Sequence, residues 1–228
     1  MTSASTTGSA PAEATAASGK TLLHVGAGQQ TLRDLPGFFH DGTWREVRLD
    51  TKAGLRPDIV ASITDMRAVP NEFADAVYSA HNIEHLYWHE VPKALREFRR
   101  VLKPGGFVCI YCADLQIVGE RIRTGDLLSP LYESPSGPIT TMDFIYGFGE
   151  SLAQGSTAMA HKCGFSASIM FDLLKPAGFA EFRIRRLISV LELLAVAIRG
   201  PVGHLSAKDL LGRLVATDGR RLSASTPG

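Results

Sequence analysis

Cysteine is scarce in this chain, neither charge sign is in excess, and no apolar run is long enough to cross a bilayer. Each absence removes a class of function. Of the three cysteines in 228 residues, Cys109 and Cys112 make a C-x-x-C spacing. They sit inside Phe107–Cys112, an apolar stretch that reads as a buried strand. Three positions along a strand are about 10 Å apart and point to opposite faces, whereas a disulfide needs alpha carbons within about 7 Å. The pair is therefore expected to be two core thiols. With Cys163 the only other cysteine, the expected compartment is a reducing cytoplasm. A formal net charge of +1 gives no basic field for nucleic acid or an acidic membrane surface. The longest aliphatic stretch, Val190 to Ile198, is broken by Glu192, so no membrane partner is expected. Residues 1–19, apart from Met1 and Glu13, are all Ala, Ser, Thr, Gly or Pro. They lack the basic start and apolar centre of a secretion signal and read as a disordered tail.

At 45% hydrophobic residues the chain can bury one substantial core, expected as a single α/β domain over residues 20–200. Strands are predicted at Thr21 to Val25, Trp44 to Asp50, Asp58 to Ile63, Phe73 to Ser79 and Phe107 to Cys112. Val91, Leu95, Phe98 and Leu102 recur at helical spacing, with Pro92 suited to the first turn and Lys103-Pro104-Gly105-Gly106 as the stop. Residues 126–164 break into Ser, Pro and Gly with scattered aromatics and read as an irregular, lid-like insertion. A helix from Ser168 to Leu174, a strand around Phe182 and Ile184 and a strand from Leu191 to Ile198 follow. Residues 201–228 read as a short helix carrying Leu210, Leu211 and Leu214, then a tail. Strands alternating with helices and crossovers imply a doubly wound, mostly parallel seven-stranded sheet with helices on both faces. Its ligand belongs beyond the carboxyl ends of the strands, which places the loop at Gly26 to Gly28 opposite Ser79 to Asn82.

The apolar run Thr21 to Val25 ends in Gly26-Ala27-Gly28, and the next strand closes on Asp50. Small residues at such a bend let backbone approach a ligand, and a carboxylate at the end of the neighbouring strand accepts from a ribose. A dinucleotide fits poorly. The third glycine of G-x-G-x-x-G is missing, and Pro36-Gly37 leaves little room for the helix that would hold a pyrophosphate. No Tyr is followed four positions later by Lys, so the usual pair of short-chain dehydrogenases is absent. S-adenosylmethionine carries adenosine without phosphate. It asks for a close backbone approach, a ribose acceptor and an adenine slot.

In the order of its motifs the chain resembles the class I (Rossmann-like) S-adenosylmethionine-dependent methyltransferases from about Thr21 to about Arg199. Leu23 to Gly28 is similar to the family's first motif, Asp50 to its ribose-binding acid, and Ile63-Thr64-Asp65-Met66 to its adenine motif. Asp75 to Leu86 looks like its fourth strand and following loop, and Arg100 to Gly106 like the structural helix stop before its fifth. The resemblance implies cofactor contacts from Gly26, Ala27, Gly28, Asp50, Asp65, Met66, Ser79 and Asn82. Gln29 and Gln30 depart from it where a further small residue is usual.

Methyl transfer is an in-line displacement governed by positioning, and a hydroxyl acceptor gains from a general base. His81 and His85 are the candidate catalytic residues at the crevice, with Glu84 third; the competing reading is that Glu84 and His85 merely tie neighbouring loops. His24 reads as a satisfied core residue. His161, Asp114, Gln116 and the aromatics Phe144, Tyr146 and Phe148 are further candidates near an acceptor. The expected activity is methylation of oxygen, nitrogen or carbon on a small molecule, in a protein open to homodimer formation. Competing readings are a binding module of the same fold that has lost catalysis, and a zinc hydrolase using His81-x-x-Glu84-His85. A nicotinamide oxidoreductase is a weaker alternative.

Overall fold

The computed structural model describes residues 19–134, 137–200 and 206–219; nearly all of the expected N-terminal tail and the last residues of the chain lie outside these. Seven strands form one sheet: β1 (Lys20–Val25), β2 (Trp44–Asp50), β3 (Ile59–Val60), β4 (Ala74–Ala80), β5 (Leu102–Ala113), β8 (Glu181–Leu187) and β9 (Glu192–Ile198). Their spatial order is β3-β2-β1-β4-β5-β9-β8. The first five pair in parallel, and β9 runs antiparallel to both β5 and β8. The expected mostly parallel seven-stranded sheet is therefore present.

Both faces are covered, as the continuous apolar strands require. On one face Leu23, Val25, Val77, Val108 and Cys112 pack under α1 (Val91–Val101) and α5 (Ala167–Leu174). On the other, Leu22, Tyr78, Cys109 and Tyr111 pack under Phe38, Phe39 and α6 (Ala207–Thr217). Cys109 and Cys112 thus fall in opposite half-cores, both buried and free, as the strand period demands. Among the described residues, no helix is long and apolar enough to cross a membrane.

Between β1 and β2 the chain makes two 3-10 turns, Leu32–Asp34 and Gly37–Phe39, in place of an α-helix. Thr31 and Asp34 cap the first, and Leu35, ahead of Pro36, is extended. Phe38 and Phe39 drop from the second turn onto the sheet, where Phe39 meets Trp44 and Tyr78 edge to face. The helix ends at Val101, as expected, and Lys103 to Gly106 then form a bulge in β5: Ala74 pairs with Leu102 and Ala76 with Phe107, so four residues loop out opposite one.

Two expectations are corrected. The third strand is two residues long, because after Val60 the backbone turns and Asp65 N–H donates to Ser62 O. Residues 126–164 are not irregular: they hold a hairpin of β6 (Pro130–Ser134) and β7 (Gly137–Thr140), then α3 (Thr141–Tyr146) and α4 (Gly149–Ala153). Thr140 and Asp143 form a capping box that starts α3, a signal that aromatic scatter concealed. Phe144 from α3 packs with Val118 of α2 (Leu115–Thr124) and edge to face on Tyr132, giving the insertion a small core of its own.

Phe39 is fully buried at the junction of the 3-10 turn and the sheet. Phe39→Ala is expected to lower the unfolding free energy by about 3–5 kcal/mol, read as a shifted midpoint in denaturant titration at unchanged slope.

Candidate functional site

Parallel register brings the carboxyl ends of β1, β2, β3 and β4 together, and there the chain leaves a cavity of about 310 Å³. Its walls come from Gly26 and Gly28, from Asp50 to Lys52, from Ala61 to Ile63, from the loop after β4, and from Met159 and Lys162. The two glycines serve different ends. Both have positive φ, +59° and +55°. A side chain at Gly26 would collide with Asn82, whose Oδ1 lies 1.7 Å from the position of an added Cβ. Asn82 Nδ2 donates to Val25 O at 2.8 Å, so the loop after β4 is stitched onto the end of β1. At Gly28 nothing lies within 4 Å of that position, and the backbone is open. Ala27 is buried, and its N–H donates to Leu49 O.

Asp50 is nearly buried and faces this bend. Its Oδ2 accepts from Gly28 N–H at 2.9 Å and its Oδ1 from Lys52 N–H at 2.9 Å. A carboxylate has about four acceptor positions, so both oxygens retain capacity for a ligand hydroxyl. From behind, Arg48 donates to Gly28 O.

The structure does not bring Asp65 and Met66 to this cavity. Met66 is wholly buried in the core, with its N–H on Glu97 Oε2 and its carbonyl on Arg100. Asp65 points outward and pairs with Arg67 at 2.6 Å. Because β3 stops at Val60, the first residues beyond its carboxyl end are Ala61, Ser62 and Ile63. Those residues line the cavity, and extending the strand to Ile63 shifted the expectation past them. Ser79 also stays off the cavity: it is buried in β4, where its Oγ accepts from Asn82 Nδ2 at 3.4 Å. Thr51, Lys52, Met159 and Lys162 carry no motif and were not anticipated. Asp114 caps α2 and holds Arg186, and Gln116 opens onto a different cavity. Phe144, Tyr146 and Phe148 do not line this cavity. His161 Nδ1–H donates to Phe144 O at 2.8 Å, and its ring lies 5.1 Å from that of His85.

The two histidines of the loop after β4 are in opposite states. His81, held at a left-handed φ of +51°, lies between two buried carboxylates. Its Nε2–H reaches Glu192 Oε1 at 2.9 Å and its Nδ1–H faces Glu84 Oε1 at 3.3 Å. Its side chain stays 44% exposed, and the partial desolvation that opposes its charge is outweighed by hydrogen bonds to Glu192 and Glu84, which push its pKa up to about 10. Glu84 in turn is pulled below the usual carboxylate range: its burial works against ionisation, and the His81 hydrogen bond overcomes it. An imidazolium with both nitrogens donating can neither accept a proton nor ligate a metal. His81 is accordingly not a general base, contrary to expectation, and Glu84 is its partner. His85 lines the cavity with Nδ1 at Ala160 O, 3.2 Å, and burial lowers its pKa, so it is neutral near pH 7 with Nε2 as an acceptor. The Ile83–His85 span is a single 3-10 turn, which does not set the two imidazoles on one helical face. Among the described residues no three His, Cys, Asp or Glu side chains converge as metal ligands.

His24, as anticipated, is buried and satisfied, with Nδ1 on Glu46 Oε1 at 2.7 Å.

Because the folded-state pKa of His81 lies above its unfolded value, the stability it contributes is complete below about pH 6.5 and is lost as pH rises toward 10. Thermal melting of the protein across pH 6 to 10 is expected to fall more steeply than that of His81→Asn. Parallel pH profiles for the two proteins would refute the assignment.

Residues 43–110 match the family model described as a methyltransferase domain. Among solved structures, a Pyrococcus horikoshii protein superimposes with a TM-score of 0.55 at 16% identity, over 79% of this chain and 82% of its own. A S-adenosylmethionine-dependent methyltransferase of Methanosarcina mazei gives 0.52 at 14% identity, over 80% and 93%. Another, from Mesorhizobium loti, gives 0.51 at 16%, over 79% and 91%. At such identities the likeness is one of fold. Among curated proteins none matches the chain. Residues 43–110 are thus similar in sequence to a methyltransferase domain, and the seven-stranded sheet is similar in fold to S-adenosylmethionine-dependent methyltransferases.

Proposed function

We propose that this protein methylates a nucleophilic atom of a small molecule, with S-adenosylmethionine as the methyl donor, in the cytoplasm. The observation that carries the reading is the open Gly28 backbone beside the buried Asp50 carboxylate, both on one cavity wall at the carboxyl edge. Three free thiols fit a reducing compartment.

The donor would rest with its sugar hydroxyls on Asp50 and its base between Leu55 and Ala61 to Ile63, which line the same cavity. Bound there, it supplies an electrophilic methyl on a sulfonium sulfur. Asp50 fixes the sugar and, through Gly28 N–H, the bend itself. Asn82 keeps the loop after β4 closed on the end of β1. Where the acceptor is a hydroxyl or a protonated amine, neutral His85 takes its proton on Nε2, while the Ala160 carbonyl holds the other ring nitrogen as donor. His81 contributes fixed positive charge to the same wall and moves no proton.

Calorimetry with S-adenosylmethionine and its demethylated product tests the cofactor site. Binding by the wild type and a loss of roughly a hundredfold or more in Asp50→Ala is expected, since charge-assisted hydrogen bonds to the sugar are removed. No heat with either compound would rule the reading out. Once an acceptor is in hand, His85→Gln should lower turnover by 10² to 10⁴-fold, the usual order for a general base. The wild-type rate should fall on acidification only below the ordinary histidine range, because protonation of His85 occurs at a lowered pKa.

A further inference from the structure

We infer that the body of the acceptor occupies a second cavity while its reacting atom reaches the first, and that it is an amphipathic molecule with an apolar body and an anionic group, carboxylate being the simplest. This rests on the methyltransferase reading above. The cavity, about 490 Å³, opens beyond the ends of β5 and β8 on the same carboxyl edge of the sheet. Val118 of α2, Leu131 of β6, Ile188 and Leu191 make its apolar walls. Ile188 is one of the more exposed large apolar residues of the protein, an uncovered surface that an apolar ligand would shield.

Arg186 supplies the cationic wall. Its Nε donates to Asp114 Oδ2 at 2.5 Å, and Asp114 is fully buried, its Oδ1 accepting from Gln116 N–H to cap α2. One edge of the guanidinium is thereby anchored. No hydrogen bond from its terminal nitrogens is formed among the described residues, and the residue lines the cavity, where a guanidinium can receive a carboxylate. Arg121 stands on the same lining, tied among the described residues to the half-buried Asp126. Glu120, the carboxylate on this lining, is turned to Arg123 at 3.2 Å.

Position ties this cavity to the cofactor side. Leu191 lines it, the next residue is Glu192, and Glu192 holds His81, which lines the first cavity. The His81–Glu192 pair thus links the wall of one cavity to the wall of the other. Both Leu191 and His81 hold left-handed backbone, with φ of +58° and +51°, a conformation non-glycine residues adopt at a cost and one concentrated at functional sites. The hairpin β6–β7 and α2 supply the walls that a plain doubly wound sheet lacks.

The test uses the full chain saturated with demethylated cofactor and titrated by ligand-observed NMR. The probes are arylalkyl and alkyl carboxylates, from 4-phenylbutyrate to decanoate, each beside its uncharged amide. Carboxylates are expected to bind roughly tenfold or more tightly than their amides, the scale of a charge-assisted hydrogen bond. Ile188→Trp, an exposed position where a larger ring fills the cavity, should weaken them by a similar factor, with cofactor affinity unchanged. Arg186→Lys, which keeps a partner for Asp114, should narrow the gap between carboxylate and amide. Carboxylates that fail to bind, amides that bind equally well, or an Ile188→Trp protein that binds as the wild type does would each overturn the inference. Cofactor heat without probe binding defeats this proposal alone, whereas absence of cofactor heat defeats the reading beneath it.

Discussion

Parallel pairing of β1 with β2 on one side and β4 on the other is the constraint from which the site follows. In register, Val25 lies beside Leu49 and Ser79, so three chain segments leave the sheet at one level and in one direction. Their first residues beyond the ladder must share a small space. Gly26 yields its side-chain volume to Asn82, and Gly28 leaves its own open while its N–H is fixed by Asp50. The same bend therefore joins two strands and presents backbone to a ligand. A side chain at either glycine would carry the strain of positive φ, and at Gly26 it would also evict Asn82.

A second organising element is electrostatic. Three buried carboxylates, Glu84, Asp114 and Glu192, lie along the carboxyl edge, and uncompensated they would be costly. His81 answers Glu84 and Glu192, and Arg186 answers Asp114. These pairs connect the loop after β4 to the start of β9, and the end of β5 to β8. They bind the antiparallel half of the sheet to the parallel half through side chains as well as through the ladder. Two histidines of one short motif are thereby set apart: carboxylates keep His81 charged, while burial lowers the pKa of His85 against the opposing pull of Glu84 and the Ala160 carbonyl.

Much of the fold was legible from residues 20–113 because its signals are local. Continuous apolar runs, the amphipathic spacing of Val91, Leu95 and Phe98, and the glycine bend each depend on neighbours in sequence. Asp50 was placed correctly beside the bend because strand ends and glycine turns mark themselves. Asp65 and Met66 were not, since the end of β3 is set by where pairing with β2 stops, at Val60, and not by hydrophobicity. The order within residues 126–164 was hidden for a related reason. A short hairpin and a one-turn helix owe their stability to contacts with α2 and with each other.

What the sequence determined by itself was the alternation of strands and helices, the two faces of each strand, and the glycine and acidic positions of the bend, all consequences of backbone period and side-chain volume. Only the tertiary structure decided which histidine is charged. Proton affinity is set by groups distant along the chain, and Glu192 lies 111 residues from His81. The same holds for the two cavities. Their shapes come from loops brought together across the sheet edge, and no stretch of sequence contains that juxtaposition.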